Sequence, residues 1–286
     1  MMQYPSPFSL SSSHQRGFTL VEMIMVITIT GIIGGIVAVF LQAPIRQYTD
    51  IARRAEMTDI ADAALRRISR DLRLASPNSV RVTGACGGGD TCFIEFLPTT
   101  GGGRYRAGAP GDELDFSTAA DNSFDVLGPG VDVANGDSIV IYNLGIAGAD
   151  AYDGTSRRSA AAPFGNGLTN ITFTPGGAQF PFDSPGRRFH VVATPVTYAC
   201  DGARTLWRYW GYAIQDVQTK TDSIAELDAL AGVQRARLAT NVGSCRFNYD
   251  QNVVAQRFGL VTMHLAITEQ GETVTLYSAT HVSNQP

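Results

Sequence analysis

A single carboxylate opens the longest apolar stretch of this 286-residue chain. The run Arg16-Gly17-Phe18-Thr19-Leu20-Val21-Glu22 is followed by an uncharged segment from Met23 to Ala43. At ~1.5 Å of helix per residue, that segment crosses the ~30 Å hydrocarbon core of a bilayer. A charge at membrane depth costs roughly 3 kcal/mol, so Glu22 needs a compensating partner and marks a functional position. The chemistry on offer is backbone cleavage followed by charge pairing. A cut after Gly17 would free the α-amine of Phe18, a cation within reach of Glu22.

Two simpler readings compete. A cleaved secretory signal has an apolar core of roughly 7–15 residues and a small-x-small exit. This core is longer, and Leu41-Gln42-Ala43-Pro44 does not fit such a site. A plain transmembrane anchor matches the length but leaves Glu22 unexplained.

The element that carries these residues need not stop at the membrane. Pro44 removes one backbone donor and is expected to kink the helix rather than end it. Ile45, Tyr48, Ala52 and Ala55, then Met57, Ala61, Ala64, Ile68 and Leu72, recur at three- and four-residue spacing as an apolar stripe. The other faces carry charge, with Asp62 and Arg66 at a favourable i,i+4 spacing. Ser76-Pro77-Asn78 closes a helix of about 60 residues. Within its membrane half, Gly31 and Gly35 form a GxxxG pair beside Gly34, a spacing that lets helices approach closely in lipid.

Beyond residue 78 the texture changes to short β-type runs among turn residues. Strands are expected at 79–82, 92–97, 113–116, 138–143, 171–174, 190–199, 205–214, 245–249, 260–268 and 273–281. Asp201-Gly202 and Gln270-Gly271 signal hairpins, and residues 223–239 suit a short helix. The loops around Gly101-Gly102-Gly103 and from Ala147 to Pro163 are expected to be exposed and mobile. The fold class is therefore α+β, with one long helix laid on a mainly antiparallel sheet. The expected division is a leader at 1–17, a helix at 18–75 (18–43 in the membrane, 44–75 amphipathic) and a globular domain at 76–286.

Cys86, Cys92, Cys200 and Cys245 include no CxxC pair, and four histidines complete a poor zinc set. Behind a membrane anchor an even cysteine count suits disulfides in an oxidising compartment. Four cysteines allow three connectivities; Cys86–Cys92, stapling Gly87-Gly88-Gly89-Asp90, and Cys200–Cys245, across the sheet, are favoured. A net charge of −4 argues against a nucleic-acid footprint. No nucleophile elbow, phosphate loop or metal-spaced histidine pair is present. Asp121, Asn122, Asp125, Asp132, Asn135 and Asp137 lack the ladder of a calcium loop and read as turn residues. Trp207 and Tyr209 should share one strand face and Trp210 and Tyr212 the other, as structural aromatics before sugar-stacking ones. His190 and His264 read as core or edge residues. No enzyme activity and no cofactor are expected.

Glycine, phenylalanine and a glutamate opening a membrane helix resemble the processing site of type IV pilins. The segments Gly31 to Phe40, Pro44-Ile45, Ala52-Arg53-Arg54-Ala55, Ala64 to Ile68, Asp71-Leu72, Leu238 to Val242, Cys245 to Asp250 and His281 to Asn284 are similar to minor pilins of the mannose-sensitive haemagglutinin (MSHA) pilus. The resemblance implies that a prepilin peptidase cuts after Gly17 and methylates Phe18. Glu22 is then the docking carboxylate, neutralised by a Phe18 ammonium on a neighbouring subunit. Implied partners are the peptidase, other major and minor pilins, the inner-membrane assembly platform and the bilayer. The implied location is the inner membrane, N-terminus inside and globular domain in the periplasm, and then the fibre. Arginines 46, 53 and 54 after the helix, counted alone, point the opposite way; the cysteines and the processing motif outweigh them. The leader is longer and less basic than the resemblance implies, which a misassigned upstream start codon would explain. A minor pseudopilin of a type II secretion system shares every N-terminal feature. An anchored carbohydrate-binding adhesin is the alternative from another class.

Overall fold

The computed structural model describes residues 17–86, 91–249 and 258–286. The chain divides into two compact units, Met1–Arg53 and Arg54–Pro286, and the division falls inside one helix, α1 (Leu20–Leu72).

In the first unit the helix continues through Pro44 rather than ending there. The proline has no N–H, so the Phe40 carbonyl loses its i→i−4 donor. The Thr28 hydroxyl donates to the Ile24 and Met25 carbonyls at 3.0 and 2.9 Å, which satisfies it within an apolar sequence. Every residue from 17 to 49 is exposed, including all the large aliphatic ones.

In the second unit the helix buries Met57, Ala61, Ala64, Leu65, Ile68 and Leu72, a stripe of i, i+4, i+7 and i+11 spacing. After it come β1 (Arg81–Thr83), β2 (Cys92–Phe96), β3 (Thr99–Tyr105), β4 (Ser123–Leu127), β5 (Val131–Val133) and β6 (Ser138–Val140). Then follow β7 (Arg157–Ala161), β8 (Gly165–Leu168), β9 (Asn170–Phe173), β10 (Arg188–Val192), β11 (Val196–Cys200) and β12 (Leu206–Trp210). The chain ends with α2 (Ile224–Ala229), β13 (Gln234–Ala239), β14 (Val242–Tyr249), β15 (Phe258–Glu269) and β16 (Glu272–Ser283).

Two sheets carry the helix. One has the order β1-β2-β11-β12-β13, the other β14-β15-β16, and all pairings are antiparallel. Ile94 and Phe96, Tyr198, Phe247, Val261, Met263 and Leu265 from these sheets form one core with the helix stripe. Asp71 near the helix end adds a polar anchor. It accepts from the Tyr198 hydroxyl at 2.7 Å and from Arg208 Nε at 3.0 Å, and pairs with Arg67 at 3.2 Å. Asp62 and Arg66 make their i,i+4 pair at 2.7 Å on the solvent side. The opposite face of the five-stranded sheet buries Phe93, Ala199 and Tyr209 under Leu227 of α2. Covered on both sides, β2 and β11 are buried at every position.

Residues between β2 and β11 form a second body, a closed barrel of order β10-β3-β4-β9-β7-β6. Pro98 and Pro195 stand where the two neighbouring strands pass from sheet to barrel. Lacking an N–H, each interrupts its strand, and the Ala193 N–H donates to the Pro98 carbonyl across the break at 3.0 Å. The expected strand 190–199 is therefore two strands in different sheets. The barrel core is aromatic, with Phe124 edge-on to Phe189 at 5.0 Å and Phe173 edge-on to Phe180 at 5.5 Å.

Both supposed loops proved ordered. Gly101-Gly102-Gly103 lies in β3, where a Cβ on Gly101 would sit 2.9 Å from Val131 and one on Gly102 2.8 Å from the Phe189 carbonyl. The glycines permit close packing of the barrel wall. The segment from Ala147 to Pro163 contains β7 and buries Ala149, Ala151 and Tyr152. Asn143 ties it down, accepting from the Ala151 N–H at 2.9 Å and donating to the Pro77 carbonyl at 2.7 Å. Residues 113–116 are not a strand, because the Asp115 carboxylate accepts from the Ser117 N–H and hydroxyl and closes a turn. The same hydrogen bonds, with one from Thr118, hold the Asp115 pKa down to about 2. The expected helix at 223–239 is real only over α2, capped by Ser223; β13 takes the remainder.

The structure joins Cys86 to Cys92, with a Cα separation of 4.7 Å, and Cys200 to Cys245, at 6.3 Å. The first closes a loop whose residues 87–90 lie outside the described residues. The second links β11 to β14 and so staples the two sheets that flank the helix. On the chain-entropy relation they contribute roughly 2 and 4 kcal/mol. Two outcomes are expected in denaturant unfolding. Ile68→Ala should lose about 2–5 kcal/mol, because the fully buried side chain leaves a cavity between helix and sheets. Replacing Cys200 and Cys245 by serine should cost more than replacing Cys86 and Cys92.

Candidate functional site

Gly17, Phe18 and Thr19 precede the first helical turn, and their geometry follows from how that turn is capped. The Thr19 hydroxyl accepts from the Glu22 N–H at 3.2 Å, and the Thr19 carbonyl accepts from the Met23 N–H at 3.1 Å. Thr19 is thus the N-cap, and Thr19-Leu20-Val21-Glu22 has the threonine-x-x-glutamate pattern of a capping box. Sequence reasoning singled out Glu22 and passed over Thr19, although the pattern before an apolar run was there to be read.

This cap sets the chemistry of the segment. It stops the helix from running back into the Gly17–Phe18 peptide, which remains non-helical and open. Gly17 has nothing within 4 Å of an added Cβ, and Phe18 is 76% exposed. A non-helical, uncrowded bond suits a protease, which must accommodate it in a cleft. Glu22 lies in the first turn of α1, where the unsatisfied N–H groups favour a negative charge. Its carboxylate has no ion-pair or hydrogen-bond partner among the described residues, and it stands on a helix surface that is otherwise apolar and exposed. Arg16 lies outside the described residues.

Gly31, Gly34 and Gly35 likewise meet nothing within 4 Å. They leave shallow notches in the exposed helix, with Gly31 and Gly35 on one face. The first part of α1 has a mean hydropathy of 2.6 in its most apolar window and none of that window is buried. It is long and apolar enough to cross a membrane.

The other residues weighed from the sequence serve the fold. Trp207 donates from Nε1 to the Asp201 carboxylate at 3.0 Å, and Arg235 stacks 4.7 Å over its ring. Trp210 packs on the helix-bearing core with Arg208 at 4.9 Å. Tyr212 joins Tyr209 on the other face, contrary to simple alternation, because Gly211 at φ +85° turns the chain after β12. Of the acidic cluster, Asp125 pairs with Arg106 at 3.1 Å and Asp137 caps the Ala134 N–H. Among the described residues no group of three or more metal-ligating side chains comes together. His264 stacks edge-on to Tyr277 on the exposed sheet face, while His190 is largely enclosed.

Residues 12–38 match the family described as prokaryotic N-terminal methylation motif. Comparisons with curated proteins and with solved structures give no match. The matched segment contains Gly17, Phe18, the Thr19 cap, Glu22 and all three notch glycines. It indicates a type IV pilin-like prepilin, of a pilus or a pseudopilus.

Proposed function

We propose that the chain is a minor pilin of an MSHA-type pilus, similar to its member MshO, cleaved after Gly17, methylated on Phe18 and incorporated into or priming the fibre. The observation that carries this reading is the Glu22 carboxylate, without a partner among the described residues, on the apolar and exposed first part of α1. In lipid such a charge is costly alone. A Phe18 ammonium on an adjacent subunit removes the penalty, so the acid makes subunit docking favourable where an apolar residue would leave the helix dispersed in the bilayer. The Gly31 and Gly35 notches let neighbouring helices pack closely as docking proceeds. Before extraction the helix anchors the protein in the inner membrane, N-terminus inside. The domain from Arg54 onwards then folds in the periplasm, where its cysteines can oxidise. Its partners are the peptidase, other pilins and the assembly platform, and it catalyses no reaction of its own.

Two experiments test the reading. Co-expression with a prepilin peptidase should lower the mass by residues Met1 to Gly17 and add one methyl group to Phe18. An intact leader under conditions that process a known prepilin would remove the basis of the proposal. In a strain carrying the fibre genes, Glu22→Leu should still insert and fold but be absent from sheared fibres. Recovery at the wild-type level would end the docking role of the carboxylate.

A further inference from the structure

Two arginines face one another on the outer wall of the barrel with no carboxylate between them. Pairing of β3 with β10 sets Arg104 directly opposite Arg188, and like charges in register destabilise a strand pair. Neither guanidinium has an ion pair or a side-chain hydrogen bond among the described residues. Elsewhere in this unit Arg81, Arg106, Arg208 and Arg235 each meet a carboxylate.

His190 lies on the same outer face, opposite Gly102. Its Nε2 is buried and unpartnered. Burial first, and then Arg188, hold the imidazole pKa down to about 4, so the ring is neutral at pH 7 and offers one N–H. A Cβ on Gly102 would lie 3.6 Å from His190 Nδ1, so the strand beneath the ring is bare backbone. Arg104, Arg188, His190, Gly102 and Leu127 line a single pocket of about 300 Å³, the scale of a small-ligand site.

We infer that this pocket binds one oxyanion group of a small molecule, a phosphate, sulfate or carboxylate. Guanidinium forks match such groups bidentately. An anion seated between Arg104 and Arg188 converts a repulsive cross-strand pair into a bridged one, with the neutral His190 ring beside it in the pocket lining. Leu127 supplies an apolar wall for the body that carries the anion. The site is on the barrel, and its existence is independent of the processing chemistry at Gly17.

The test uses the full chain in detergent micelles at fixed ionic strength. Inorganic phosphate and D-galacturonate are titrated separately by calorimetry, and unfolding temperatures are measured alongside. Saturable binding of either probe is expected, weakened about tenfold or more in Arg104→Gln and Arg188→Gln. It should be unchanged in Arg237→Gln, which removes an exposed arginine on β13. Which probe binds tighter separates a phosphate from a carboxylate source. Without ligand, both glutamine variants should melt at or above the wild-type temperature, because the repulsion is gone. Absence of saturable binding, equal affinity in the Arg104 and Arg188 variants, or equal loss in Arg237→Gln overturns the site. A lower melting temperature in both glutamine variants overturns the repulsive pairing on which it rests.

Discussion

Burial of one helical stripe, from Met57 to Leu72, is the interaction on which the folded unit depends. The five-stranded and three-stranded sheets share no ladder hydrogen bonds in the described pairings. They meet through the apolar side chains that both press against α1, and through the Cys200–Cys245 link. Each sheet alone would expose an apolar face, and the helix alone would expose its stripe. Packed together, all three remove that surface from water. Asp71 sets the position of the helix against the five-stranded sheet by bonding Tyr198 and Arg208, groups that would otherwise be half-buried without a partner.

The first part of the same helix follows the opposite logic. No side chain in its described residues up to Thr49 is covered, so its apolar surface requires an environment outside the monomer, and its length and hydropathy suit lipid. Glu22 makes that requirement specific. A uniformly apolar helix is content anywhere in hydrocarbon, whereas a helix with one unpaired acid is stabilised where a cation is supplied. The Thr19 cap, three residues before this acid, starts the helix and leaves the preceding peptide outside it.

The barrel is a separate solution to burial within the same unit. It is inserted between neighbouring strands β2 and β11, and glycines at 101–103 let backbone and side chains approach closely in its wall. Pro98 and Pro195 separate it from the sheet without a linker. Its aromatic interior is independent of the helix-bearing core, and its outer wall carries the Arg104 and Arg188 pair.

How much of this was legible in the residues follows from the range of the forces involved. The membrane-crossing helix, its continuation past Pro44, the Met57–Leu72 stripe and the long strands of the C-terminal meander are periodic over many residues. Periodicity is local, so composition and spacing reveal it. The three glycines, by contrast, read as a loop until the Phe189 carbonyl and Val131 are seen against them. The 147–163 segment reads as solvent-exposed until Asn143 is seen to accept from its Ala151 N–H and to tie it back to the Pro77 carbonyl. Likewise the pairing of Arg104 with Arg188 exists only through the register of β3 on β10, and the barrel only through its closure. The chain's own order of residues determined the amphipathic helix and the isolated acid, because both depend on neighbours a turn or two away. Which strands meet, which glycines are crowded and which like charges are forced together were decided by tertiary contacts between residues far apart along the chain, where no local spacing carries a signal.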